Sequence, residues 1–186
     1  LSSNIDINIS YCIIRNVTKK NVELPQMKII VSCLVQSLLY EMSQKETILD
    51  TLVALVKKAP LCIQEKDLQD YILFKLEAPI VVLQSLRLLK ALKVRKLNHE
   101  TINNILTHVN QILEKTNYHH PKIINAALSV IKNLINAGIN IQNFLDQTKI
   151  KEFAEVFLKE LNDEKVKFGN LIPQVEDFIH VCETTA

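Results

Sequence analysis

Apolar residues recur along this chain at the three-and-four spacing of a helix face, with polar residues filling the turns between. The cleanest case runs from His120 to Gly138. Ile124, Ala127, Leu128, Ile131, Leu134 and Ile135 fall on one stripe, the signature of an amphipathic helix. Pro121 stands at its start, where the missing N–H has no intrahelical partner to lose. Gly138 follows the stripe as the residue best suited to a left-handed C-cap.

Taken in order, the other stripes predict helices through most of the chain. Leu1 to Asn21 reads two ways: Ile5, Ile7, Ile9 and Tyr11 alternate like a strand, while Ile5, Ile9, Cys12, Ile13 and Val17 fit a helix. With no partner strand in the pattern, helix is the reading adopted. Pro25 to Met42 predicts a helix buried on most sides, through Ile29, Ile30, Val31, Cys33, Leu34, Val35, Leu38 and Leu39. Ser43 and Glu46 then have the spacing of a capping box. They open a helix to about Lys58 on Ile48, Leu49, Leu52, Leu55 and Val56, which Ala59-Pro60 ends. A further helix spans roughly Gln64 to Leu76, and Pro79 opens another to about Val94 on Val82, Leu83, Leu86, Leu89 and Leu92. Asn98 is placed to cap the next helix, with Ile102, Ile105, Leu106, Val109, Ile112 and Leu113 inward. After Gly138, Ile141 to Asp146 has room for one or two turns. Thr148 to Leu161 predicts a helix on Ile150, Phe153, Ala154, Phe157, Leu158 and Leu161. Asp163 to Cys182 keeps a helical stripe that Gly169 and Pro173 should kink or break.

These stripes superpose. Val82, Leu86 and Leu89 recur 42 residues on as Ile124, Leu128 and Ile131, and another 44 on as Phe168, Ile172 and Val175. Ile48, Leu52 and Leu55 stand 34 before the first set. Each copy follows another amphipathic helix. Helix pairs repeating at such a period are the mark of an α-solenoid, whose units cannot bury their apolar faces alone and therefore stack.

Composition agrees. The 186 residues are 48% hydrophobic but only 5% aromatic, with two glycines and no tryptophan. Two glycines are too few for the turns of a sandwich or barrel, so the expected class is all-α. No apolar run reaches the roughly 18 residues needed to span a bilayer. Cys12, Cys33, Cys62 and Cys182 lie far apart among apolar residues, as suits small buried hydrophobes in a reducing compartment. Two glycosylation triplets, Asn8-Ile9-Ser10 and Asn16-Val17-Thr18, have no hydrophobic leader beside them. A chain beginning at Leu1 reads as an excised piece, and an intracellular origin, cytoplasmic or nuclear, is the expectation.

Ala127-Leu128-Ser129-Val130-Ile131-Lys132-Asn133-Leu134 resembles the third helix of an armadillo repeat, which typically reads Ala-Leu-Trp-Ala-Leu-x-Asn-Leu after a proline-led start. Asn140 to Leu161 is similar to the short first and long second helices of the next repeat. HEAT repeats share most of these features. The resemblance implies a right-handed α-solenoid of about four irregular armadillo/HEAT-like repeats, at 25–59, 61–95, 97–138 and 139–183, with residues 1–24 as an N-terminal cap or extension. It also implies a non-enzymatic scaffold that binds a partner protein segment. In relatives that grip extended peptides, a Trp and an Asn on each third helix form a ladder. Here the Trp position falls on Val53, Arg87, Ser129 and Pro173, and the Asn position on Lys57, Ala91, Asn133 and Asp177. One asparagine remains and no tryptophan, so grip of the nuclear-import kind is not expected.

Charge adds one candidate. The overall balance of 22 basic against 20 acidic residues is even, but Arg87, Lys90, Lys93, Arg95 and Lys96 cluster with no acid between Glu77 and Glu100. Arg87, Lys90 and Lys93 are expected on one helix face, with Arg95 and Lys96 at its C-terminus, where the dipole favours cations. Such a patch suits an acidic peptide or a phosphate; a plain solvated face is the alternative. Ser129, Asn133 and Asp177 are the other candidate contacts, and Asp177 with Glu176 would give the far end of the surface the opposite sign. Nucleic acid is the alternative partner for the patch, but stacking aromatics and a continuous basic track are missing. A purely structural or oligomerising segment is the other alternative, because uncapped solenoid ends would self-associate.

No cofactor or metal is expected. His119-His120 lacks further ligands at zinc spacing, and His180 and Cys182 are two apart on a helix and face different ways. No Gly-rich phosphate loop, Gly-x-Ser-x-Gly or His-Glu-x-x-His occurs, so the sequence offers no residues for an active site.

Overall fold

The computed structural model describes residues 23–40, 45–64, 67, 79–116, 120–163 and 168–185. Among them are eight α-helices, two 3-10 turns and no strand, an all-α fold. The helices are α1 (Leu24–Tyr40), α2 (Lys45–Lys58), α3 (Pro79–Ala91), α4 (His99–Lys115), α5 (Pro121–Asn136), α6 (Gln142–Thr148), α7 (Ile150–Asp163) and α8 (Ile172–Thr185). The chain divides into two compact units, residues 1–93 and 94–186. The expected helix over 1–21, that over 64–76 apart from Gln64 and Asp67, and the Ser43 half of the capping box lie outside the described residues.

In the first unit α2 packs on α1 and, more extensively, on α3. Contact on two sides explains why α2 buries a wide arc, Ile48, Leu49, Leu52, Val53, Leu55 and Val56, rather than one narrow stripe. Thr51 lies in that arc too, and its hydroxyl is satisfied by donating to the Thr47 carbonyl at 2.8 Å. Helix α1 departs from expectation. Met27, Val31, Leu34, Val35 and Leu38 are buried, but Ile29 is 67% exposed and Cys33 is exposed. Ile29 and Cys33 are four apart and lie on the side opposite Val31 and Leu38 at 3.6 residues per turn. Among the described residues α1 packs on α2, and the side carrying Ile29 and Cys33 is left exposed. Cys62 and Cys182 are buried as expected.

Helix α3 is shorter than its pattern suggests. It ends at Ala91, and Val94–Lys96 forms a separate 3-10 turn. Leu92 and Val94 are both buried. Two residues apart on a helix they would point apart, so leaving the helix at Ala91 lets both turn inward.

The second unit begins as its sequence signals require. The Asn98 side chain accepts the Thr101 N–H at 2.8 Å, capping α4. Pro121 occupies the first turn of α5. At the other end Gly138 takes φ +75°, its N–H donates to the Ile135 carbonyl at 2.8 Å, and the Ile139 N–H donates to Leu134 at 3.2 Å. This is a Schellman ending, which satisfies carbonyls the helix would otherwise leave open. A helix beginning at Thr148 is not what forms. Thr148 closes α6, its hydroxyl donating to the Phe144 carbonyl at 2.7 Å. Lys149 at φ 52° then divides α6 from α7, a left-handed residue that nothing in its side chain favours. The break expected near Gly169 and Pro173 is a 3-10 turn over Gly169–Leu171, after which Pro173 sits in the first turn of α8.

Within this unit α4 packs on α5, α5 on α8, α8 on α7, and α6 on α7. Helix α5 is thus central, and buries Ile123, Ile124, Ala127, Leu128, Val130, Ile131, Leu134 and Ile135. Phe157 of α7 and Phe178 of α8 are the largest side chains buried outright.

Candidate protein-interaction surface

The part of α5 left uncovered is polar. Asn125, Ser129 and Asn133 are half-buried at i, i+4 and i+8, one above another on the helix. The neighbouring α8 contributes exposed Gln174 and Asp177. Asn125 Nδ2 donates to Gln174 Oε1 at 2.8 Å, and Gln174 Nε2 donates in turn to the Asn170 carbonyl at 3.1 Å. Lys132 pairs with Asp177. These links tie α5 to α8 across a strip of carboxamides and one ion pair. Carboxamides both donate and accept, which matches what a peptide backbone presents. The expected roles of Ser129, Asn133 and Asp177 therefore fall on one contiguous surface. Asp177 meets a lysine of its own chain there and does not stand as a separate negative end.

The basic run is not the single helix face that its spacing suggests. Arg87 and Lys90 are exposed one turn apart on α3, and exposed Lys93 follows the helix. Arg95 and Lys96 belong to the 3-10 turn and not to a helix C-terminus, because α3 has ended by Ala91; Lys96 is exposed. The run is also shared between the units, which divide after Lys93. What remains of the patch in the first unit is Arg87, Lys90 and Lys93. Arg87 Nη1 donates to Gln84 Oε1 at 3.2 Å, and Gln84 is only 4% exposed. Gln84 stands beside the apolar stripe of α3, and only the width of the buried arc brings it inside.

Lys151 links α7 and α8. Its ammonium lies 3.1 Å from the Glu183 carboxylate and 3.7 Å from Glu155, and the bond to Glu183 holds the lysine pKa above its ordinary value. Burial pushes the Cys62 thiol up and carries Cys182 to about 11, so both stay protonated and unreactive at neutral pH. His108 was not singled out by its sequence context. Its side chain is buried on α4 and Nε2 has no hydrogen-bond partner. Burial, helped by the Lys115 charge, lowers its pKa to about 4.

Among the described residues no group of three or more His, Cys, Asp or Glu side chains is placed to hold a metal ion. No helix among them is long and apolar enough to cross a membrane. No family model, curated protein or solved structure matches the chain. The functional reading therefore rests on the residues and their packing.

Proposed function

We propose that the chain is a non-enzymatic protein-interaction module, an armadillo/HEAT-like α-solenoid segment whose third helices present the surface that meets a partner protein. One observation carries this reading: the helices related by the sequence period pack on one another inside each unit. Helix α2 packs on α3, and α5 on α8. Each of α2, α5 and α8 also packs on a helix that precedes it, α1, α4 and α7 respectively. That is the contact pattern a stack of helix pairs requires. The inner stripe recurs from copy to copy while the outward positions differ, as expected when the core builds the scaffold and the surface selects the partner.

The test is affinity capture from cell extract with the wild-type chain and with Arg87, Lys90 and Lys93 all reversed to glutamate, repeated with Asn125 and Asn133 changed to alanine. A partner captured by the wild type and lost from one of the two variants, with thermal stability unchanged, is the expected result. A wild type that captures no partner contradicts the reading.

A further inference from the structure

We propose that Arg87 is a carboxylate receptor, held in place by the buried Gln84 carboxamide, and that it takes an acidic side chain from a partner polypeptide. This rests on the interaction-module reading and names the chemistry of the partner. Gln84 lies in a buried arc with Val81, Ser85, Leu86, Leu88 and Leu89. A buried carboxamide needs a partner, and its Oε1 accepts from Arg87 Nη1 at 3.2 Å. That bond engages one of the five guanidinium N–H donors, while the Arg87 side chain as a whole is exposed. The fork is therefore oriented before any ligand arrives, which reduces the side-chain ordering that binding would otherwise cost.

Nothing on its own helix competes for it. The positions three and four residues away from Arg87 are Leu83, Gln84, Lys90 and Ala91, none of them an acid, and α3 contains no acidic residue at all. Exposed Lys90 and Lys93 add positive charge on either side of the next turn, which raises the local concentration of an acidic segment. An ionised carboxylate matches the planar fork two bonds at a time, a geometry a lysine cannot reproduce. An acidic polypeptide fits better than a nucleic acid, because α3 has no aromatic side chain on which a base could stack.

Fluorescence anisotropy at low salt with a labelled ten-residue peptide of alternating Glu and Ala, and with its Gln-for-Glu counterpart, tests the proposal. The wild type should bind the Glu peptide at least about tenfold more tightly than the Gln peptide. Arg87→Lys keeps the charge but loses the fork. It should weaken the Glu peptide by about tenfold and leave the salt dependence as it was. Gln84→Leu should weaken it severalfold without lowering the melting temperature. If that variant does not fold, Ala91→Glu serves instead: a carboxylate four residues from Arg87 should compete for it and weaken the peptide severalfold. Equal binding of the two peptides, or wild-type affinity in Arg87→Lys, overturns the proposal. So does duplex RNA bound more tightly than the Glu peptide. A partner captured from extract whose binding survives Arg87→Lys overturns this inference alone and leaves the interaction module standing. Capture of no partner by the wild type overturns the interaction module and, with it, the partner named here.

Discussion

Helices α3 and α5 occupy the same place in the repeated pattern, one in each unit, and they share an inner stripe residue for residue: Val82, Leu86 and Leu89 against Ile124, Leu128 and Ile131. Outward they differ completely. Helix α5 shows Asn125, Ser129 and Asn133, and is linked to α8 by the Asn125–Gln174 amide bond and the Lys132–Asp177 ion pair. Helix α3 shows Arg87 and Lys90, with the arginine anchored to a buried glutamine of its own helix. Their ends differ as well, since α5 closes on a left-handed glycine while α3 stops at Ala91 to let Leu92 and Val94 both turn inward. The shared stripe is what packing demands of a helix covered on one side, and the divergent faces are what packing leaves free. Function is therefore to be sought where the copies disagree.

The largest effect tests the shared half of that comparison. Leu86 and Leu128 are both fully buried or nearly so. Truncation of either to alanine should cost about 3 kcal/mol by lost burial and the cavity left behind. Urea unfolding of the full chain measures both, and costs that differ by more than about 2 kcal/mol would mean that the two stripes are not equivalent.

The next concerns buried polar groups, where the units part company. Gln84 has found a partner in Arg87, but His108 Nε2 has none. The folded-state pKa of His108, about 4, is below the ordinary value near 6.5. The unfolded chain therefore binds the proton more readily. Stability from this group is complete above about pH 6.5 and falls as the pH drops towards 4. The full difference corresponds to about 3 kcal/mol, and solvent near the partly accessible ring reduces it to about 2 kcal/mol. His108→Leu should remove that dependence while keeping the stability seen at neutral pH. Unfolding curves at pH 7 and pH 4.5 that shift equally in wild type and variant would contradict the assignment.

The smallest concerns the helix endings. At Gly138 nothing lies within 4 Å of where a Cβ would stand, so Gly138→Ala should cost only the left-handed backbone penalty, about 1 kcal/mol. Ala91→Gly at the end of α3, which has no left-handed cap, should not show the same dependence on a positive φ. A melting temperature unchanged in Gly138→Ala would remove the Schellman ending from the list of what stabilises α5.

Much of this was legible in the sequence where punctuation is local. Pro121, Gly138 and Asn98 each act on their own helix end, and each sits where its chemistry predicts. The break at Gly169 and Pro173 was readable for the same reason. What could not be read depends on neighbours distant in sequence. Ile29 and Cys33 look like core by pattern, yet both lie on the exposed side of α1. Leu92 continues the stripe and Val94 does not, yet both are buried, and the helix ends three residues early. Gln84 and His108 stand beside their stripes, and only the width of the buried arc draws them in. The candidate surface follows the same rule: register places Ser129, Asn133 and Asp177, but the pairing of Asp177 with Lys132 joins residues 45 apart in sequence.

We propose that the uncovered faces of the repeated helices, and not their cores, select a partner. The most direct measurement is the affinity of a captured partner for the Arg87/Lys90/Lys93 reversal and for the Asn125/Asn133 alanine variant, each alongside its melting temperature. At least one variant should lose binding by tenfold or more with its melting temperature unchanged. Wild-type affinity in both variants would contradict it.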